Sequence, residues 1–201
     1  MYSSSKKEVW TSHSSIVQEI VDILTFLLCF FSEGNNFFKA KSYEQAIEKY
    51  TEAIALDPSD VTFYSNRSAC YAALGKWTEA AEDGRQCIVT DKSFVKGYFR
   101  AALAHQALGN LEAASEAVKR GLGIDSTSAD LKRMSKEIDE SSRMKKVDAM
   151  IAQAEKQLAS SDVTGAYKTL DNALRLDPTN SMLNRMMDKV RPKFEMAEKH
   201  R

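Results

Sequence analysis

Residues 34–58 read GNNFFKAKSYEQAIEKYTEAIALDP, residues 68–92 read SACYAALGKWTEAAEDGRQCIVTDK, and residues 102–126 read ALAHQALGNLEAASEAVKRGLGIDS. Laid over one another, they place Gly34, Ser68 and Ala102 in one column and Ala46, Ala80 and Ala114 in another. Tyr43, Trp77 and Leu111 form a third, and Tyr50, Gly84 and Val118 a fourth. Two more columns hold Ala53, Cys87 and Gly121, then Pro58, Lys92 and Ser126. The offset is 34 residues each time, a period that marks stacked supersecondary units, each too small to bury its own apolar face.

Each unit reads as two short antiparallel helices. The small residues stand where paired helices cross most closely, because a larger side chain there forces the axes apart. Bulky Tyr43, Trp77 and Leu111 fill the space beside them. The turns are Ala40-Lys41-Ser42, Leu74-Gly75-Lys76 and Leu108-Gly109-Asn110, with glycine ending the first helix in the last two. Three such hairpins, over residues 27–60, 61–94 and 95–128, predict an all-α, right-handed superhelix with a concave face.

Composition agrees with that reading. The 201 residues include only eight glycines and three prolines, so long stretches carry no helix breaker. Twenty-eight basic residues balance twenty-eight acidic ones, which leaves no overall field for nucleic acid or an anionic membrane. Cys29, Cys70 and Cys87 are odd in number and lack metal-ligand spacing, which fits a reducing, cytoplasmic setting. Asn66-Arg67-Ser68 matches a glycosylation acceptor, a triplet that arises often by chance.

A fourth, weaker copy follows a longer spacer. Ala154, Val163, Ala166, Leu170, Ala173 and Pro178 repeat the pattern within residues 147–180. No Gly or Pro lies between Asp125 and Gly165, and Leu131, Met134, Ile138, Val147, Ile151, Ala154 and Leu158 follow a helical spacing. One long helix is expected from about residue 129 to 159, its part up to residue 146 a cap on the three-hairpin core. A last helix spans residues 181–201, bent or restarted near Pro192.

These motifs resemble the tetratricopeptide (TPR) family, most strongly over residues 27–128. In that architecture the first helix of each hairpin lines the groove. Lys96 and Arg100 are four apart on the third of these helices and share a face, while Asn66 and Asn35 hold matching places on the second and first. Two amides and two cations without a neighbouring acid suit a pair of carboxylates. The set is similar to the dicarboxylate clamp of heat-shock cochaperones such as the heat-shock organising protein and the small glutamine-rich cochaperones. That resemblance implies a non-enzymatic scaffold gripping the C-terminal Glu-Glu-Val-Asp of 70 and 90 kDa chaperones. Four of the clamp's five positions match, at Asn35, Asn66, Lys96 and Arg100; the fifth, a lysine in the family, is Phe31 here.

Phe38, Phe99 and Leu103 are expected to add apolar groove contacts, with Ser65, Ala69, Ala72 and Ala73 leaving room for a peptide side chain. Two other readings stay open: an adaptor that binds a folded partner by its convex face or C-terminal extension, and a membrane-tethered receptor. Catalytic, cofactor and metal roles find no support. His13, His105 and His200 lie far apart, Gly75-Lys76 lacks the rest of a phosphate loop, and Gly121-x-Gly123 follows a helix. His105 reads as a core or edge histidine.

The N-terminus divides in two. Residues 1–15 are Ser-rich and expected to be mobile. Residues 16–30 are apolar, but the run from Ile23 to Phe31 is too short to span a bilayer and no small-x-small cleavage site precedes Glu33. The expectation is an amphipathic helix that runs into the first repeat and packs on its hairpin.

Overall fold

The structure, a computed structural model, describes residues 4–199, with side chains from residue 16 onward. The expected mobility of residues 1–15 falls largely outside the described side chains, and residues 200–201 of the last helix lie outside the described range. The described backbone is helical, with no strand among those residues. The elements in chain order are α1 (Ser4–Lys39), α2 (Tyr43–Leu56), α3 (Val61–Ala73), α4 (Trp77–Thr90), α5 (Val95–Ala107), α6 (Leu111–Ile124), α7 (Ala129–Ala159), α8 (Val163–Leu176) and α9 (Ser181–Lys199). They fall into two compact units, residues 1–135 and 136–201.

In the first unit α1/α2, α3/α4 and α5/α6 form antiparallel hairpins stacked in a solenoid. The column of small residues does what its spacing implies. Ala46, Ala80 and Ala114 are all but inaccessible to solvent. A Cβ on Gly34 would stand 2.8 Å from the Tyr50 ring, and one on Gly84 would stand 2.6 Å from the backbone nitrogen of Ala101. The first contact lies within a hairpin and the second between hairpins, so both packing directions use minimal side chains. Leu131 at the start of α7 closes the stack: it is fully buried, its Cδ1 lying 2.7 Å from where a Gly121 Cβ would be.

Loops follow one recipe. After α2, α4 and α6, Asp57, Asp91 and Asp125 accept hydrogen bonds from the backbone and hydroxyl of Ser59, Ser93 and Thr127. Those bonds hold the three carboxyls below the ordinary aspartate range. Within the hairpins, Gly75 and Gly109 take the left-handed conformation that ends α3 and α5 (φ 72° and 76°). The first and fourth hairpins place Lys41 (φ 61°) and Ser161 (φ 64°) in the same conformation without glycine.

The N-terminal expectation needs correction. Residues 16–30 do run into the first repeat, as one helix of 36 residues with its beginning at Ser4. They do not pack on the hairpin, because α2 has 14 residues. At about 1.5 Å per residue α2 covers only the C-terminal part of α1. Leu27, Phe30 and Phe31 are accordingly half-buried. Upstream, Ile16, Ile20, Leu24 and Phe26 remain more than half exposed, at 52%, 51%, 52% and 57%. Among the described residues no helix is long and apolar enough to cross a membrane.

The second unit packs Val147 and Ala154 of α7, Ala166, Leu170 and Ala173 of α8, and Leu183, Met187 and Val190 of α9 into one core. The Thr169 hydroxyl donates to Gln157 Oε1 at 2.8 Å, tying α8 to α7. Tyr167 stacks flat on Phe194, centroids 4.1 Å apart, tying α8 to α9. Helix α9 runs through Pro192 without restarting.

The strained turn at Lys41 yields a stability test. Lys41→Gly removes the left-handed penalty of a side chain, which exceeds the entropy glycine adds to the unfolded chain, so a net gain of about 0.5–1 kcal/mol is expected in chemical denaturation. An unchanged or lowered midpoint would show that the turn carries no strain.

Candidate functional site

Helices α1, α3 and α5 lie side by side, each the first of its hairpin, and place Asn35, Asn66 and Arg100 together. These three, with Phe38, Tyr50 and Ala69, line a cavity of about 80 Å³. The Tyr50 hydroxyl donates to Asn35 Oδ1 at 2.8 Å, and Asn66 Nδ2 donates to the same oxygen at 3.3 Å. Burial pushes the Tyr50 hydroxyl up to about 12, so it stays protonated as a donor. With its carbonyl oxygen satisfied twice, Asn35 has its NH₂ group left to offer an incoming acceptor.

Arg100 dominates the electrostatics. It is half-buried, its Nε is sealed from solvent with no hydrogen-bond partner, and no carboxylate pairs with it among the described residues. Its planar contact is the Phe99 ring, 5.9 Å from the guanidinium carbon. Burial lowers its basicity below the ordinary arginine value, with Cys87 and Cys70 nearby acting in the opposite sense. Burial pushes both of those thiols up to about 12, so they remain neutral. The guanidinium is thus desolvated, charged and unmatched, an arrangement that costs free energy unless an anion arrives.

Lys96 stands one turn before Arg100 on α5, is exposed, and lies outside the cavity wall. Phe38 is partly exposed and meets Tyr43 edge-on at 5.6 Å, while Phe99 and Leu103 are half-buried. Phe31 is half-buried with its ring 5.4 Å from that of Phe63, and it packs against the cluster of Ala46, Tyr50 and Cys70. It is a packing residue. Sequence reasoning placed Tyr50 in the repeat but missed its polar role. The signal was its column, where the next two repeats carry Gly84 and Val118 and neither has a hydroxyl.

One more buried charge deserves contrast. Arg67 of α3 donates from Nε and Nη2 to the two carboxylate oxygens of Asp83 on α4, at 2.9 and 2.8 Å, and from Nη1 to the Thr51 hydroxyl on α2. Burial pushes the Asp83 carboxyl up while Arg67 pulls it back. This pair is bidentate and structural. No group of residues suited to a metal ion occurs among the described residues.

Comparison with known proteins places this geometry. A TPR repeat model matches residues 34–75, and a tetratricopeptide repeat model matches residues 95–128. The second TPR domain of human RPAP3, solved in complex with the HSP70 peptide SGPTIEEVD, superposes with a TM-score of 0.56 and is 30% identical, covering 58% of this chain and 98% of that domain. The chain belongs to the tetratricopeptide-repeat family. Within it, Hsp70-Hsp90 organizing protein 3 of Arabidopsis thaliana is 42% identical over 93 residues, 46% of this chain and 17% of that protein. Mitochondrial import receptor subunit TOM70 of Homo sapiens is 45% identical over 84 residues, 39% of this chain and 14% of that protein. The chain therefore spans under a fifth of the length of these two relatives.

The unmatched guanidinium predicts an inverse mutational effect. Arg100→Met keeps the bulk and removes the desolvated charge, so the empty protein should become more stable by about 1–2 kcal/mol. A lower unfolding midpoint would show that Arg100 is already compensated.

Proposed function

We propose that the face built by α1, α3 and α5 holds the acidic C-terminal end, of the Glu-Glu-Val-Asp type, of a heat-shock chaperone of the 70 or 90 kDa class, and that the chain serves as a cochaperone scaffold in the cytoplasm. The observation that carries this reading is the Arg100 guanidinium, buried without a carboxylate beside two carboxamides. A chain-terminal aspartate brings two carboxylates on one residue. One meets Arg100 and the Asn35 and Asn66 amides, and the other meets the exposed Lys96. Phe38, Phe99 and Leu103 supply apolar surface for the valine that precedes the terminal aspartate. The RPAP3 domain in complex with such a peptide supports the assignment.

Phe31 leaves the grip one cation short of the family pattern, and its packing on Phe63 explains how the fold uses that position instead. Affinity then rests on four polar side chains.

Calorimetric titration with a Glu-Glu-Val-Asp peptide tests the proposal. Binding is expected with a free C-terminus and lost with an amidated one. Lys96→Ala and Arg100→Met should each cost about 2–5 kcal/mol, the penalty for removing one partner of a desolvated charge pair. Equal affinity for free and amidated peptide would point instead to an adaptor that ignores chain ends. Phe31→Lys should lower the thermal midpoint with no gain in affinity, because it breaks the Phe63 contact. Tighter binding with an unchanged melt would show that residue 31 still faces the peptide.

A further inference from the structure

The repeat register exposes a second site, on the side of the solenoid formed by the second helices of the hairpins. Between α2 and α4, Arg67 spans the gap, bonded to Thr51 on one side and Asp83 on the other, with Tyr71 at 5.9 Å. One repeat on, between α4 and α6, the same columns hold Ala101, Arg85, Ala117 and His105. The filler and its anchor have both become alanine, and a cavity of about 600 Å³ takes their place.

The rim changes sign as well. Thr51, Pro58 and Gln86 around the first gap become Arg85, Lys92 and Arg120 around the second. Glu79 and Asp83 become Ala113 and Ala117, leaving Glu116 as the one acid on the wall. Arg85 is engaged by Glu82. Lys92 and Arg120 have no carboxylate partner among the described residues, and Arg120 lies over the Tyr98 ring at 5.5 Å, oriented along the groove. Ile88 and Val89 supply apolar wall, and Val89 is 60% exposed. His105 Nδ1 is buried at the same wall with no hydrogen-bond partner.

We infer that this groove between α4 and α6 binds an acidic segment of a partner protein that inserts one bulky apolar side chain and sets flanking carboxylates against Lys92 and Arg120. The apolar floor is too small-featured to be filled by its own side chains, which gives the inserted group its space. The basic rim selects carboxylates over cationic or neutral neighbours. His105 adds a hydrogen-bonding position at the wall for a polar group of the same segment. The site needs no chain end, so it is separable from the α1–α3–α5 face.

The test uses the full chain and a fluorescein-labelled, C-terminally amidated peptide, Glu-Glu-Leu-Phe-Glu-Glu, with Glu-Glu-Ser-Ser-Glu-Glu as its control. Saturable anisotropy change is expected with the first peptide, at a dissociation constant below about 1 mM, and none with the second. The exposed double variant Lys92→Glu with Arg120→Glu should weaken binding at least about tenfold, reversing two favourable contacts. Ala101→Arg with Ala117→Asp, which rebuilds the Arg67–Asp83 filler, should do the same by occupying the cavity. Should that buried pair fail to fold, the rim variant decides alone. Absence of saturable binding by the wild type overturns the inference. So does binding that survives the rim variant, or binding that is lost in Arg100→Met, which would assign the peptide to the other face.

Discussion

Every surface in this protein depends on how closely the helix axes are allowed to approach. Gly34 lets α1 settle against the Tyr50 ring, Gly84 lets α4 meet the backbone of α5, and Gly97 sits where a Cβ would be 2.6 Å from that of Cys87. A methyl group at such a contact has no room unless backbone moves, and overpacking of this kind costs about 1–3 kcal/mol. The repeated spacing of those contacts fixes the angle between successive hairpins. That angle in turn brings side chains from α1, α3 and α5, distant in sequence, onto one small cavity.

Two arginines on neighbouring first helices show how differently one type of residue can be used. Arg67 is matched by a bidentate aspartate, and removing either partner would strand a buried charge. Arg100 sits at a comparable depth with nothing to match it. The first pair stabilises the stack of α2, α3 and α4. The second holds a desolvated cation ready, so an anionic ligand meets a donor that needs no reorganisation and has little water to shed. The fold carries the expense of that readiness in its unliganded state.

The helical hairpins and their stacking were legible because small residues recur at fixed spacing and Gly75 and Gly109 mark the turns. Asn35, Asn66 and Arg100 were legible as a group because helical phase and repeat length together specify which side chains share a face. Other features depend on tertiary lengths that no local pattern encodes. The apolar turns of α1 lack a covering partner because α2 is too short to reach them, a comparison of lengths and not of residue types. Lys41 adopts a left-handed conformation that its identity disfavours, because the closing α2 dictates the turn. The Tyr50–Asn35 hydrogen bond escaped notice since tyrosine in an apolar column reads as bulk. The Arg67–Asp83 pair escaped because each partner alone looks like an ordinary helix charge. Phe31 looked like a damaged binding position and is a piece of core.

The three cysteines divide the molecule by reactivity. Cys70 and Cys87 are buried inside the hairpin stack, and with their thiols near 12 only about one molecule in 10⁵ carries either thiolate at neutral pH. Cys29 lies exposed on α1, at the boundary between its packed and unpacked turns. An alkylating reagent therefore meets one accessible sulfur in the native protein and gains the other two only as hairpins part. The rate at which the second and third sulfurs become modified is a clock for local opening of the solenoid, built from native residues and needing no introduced label.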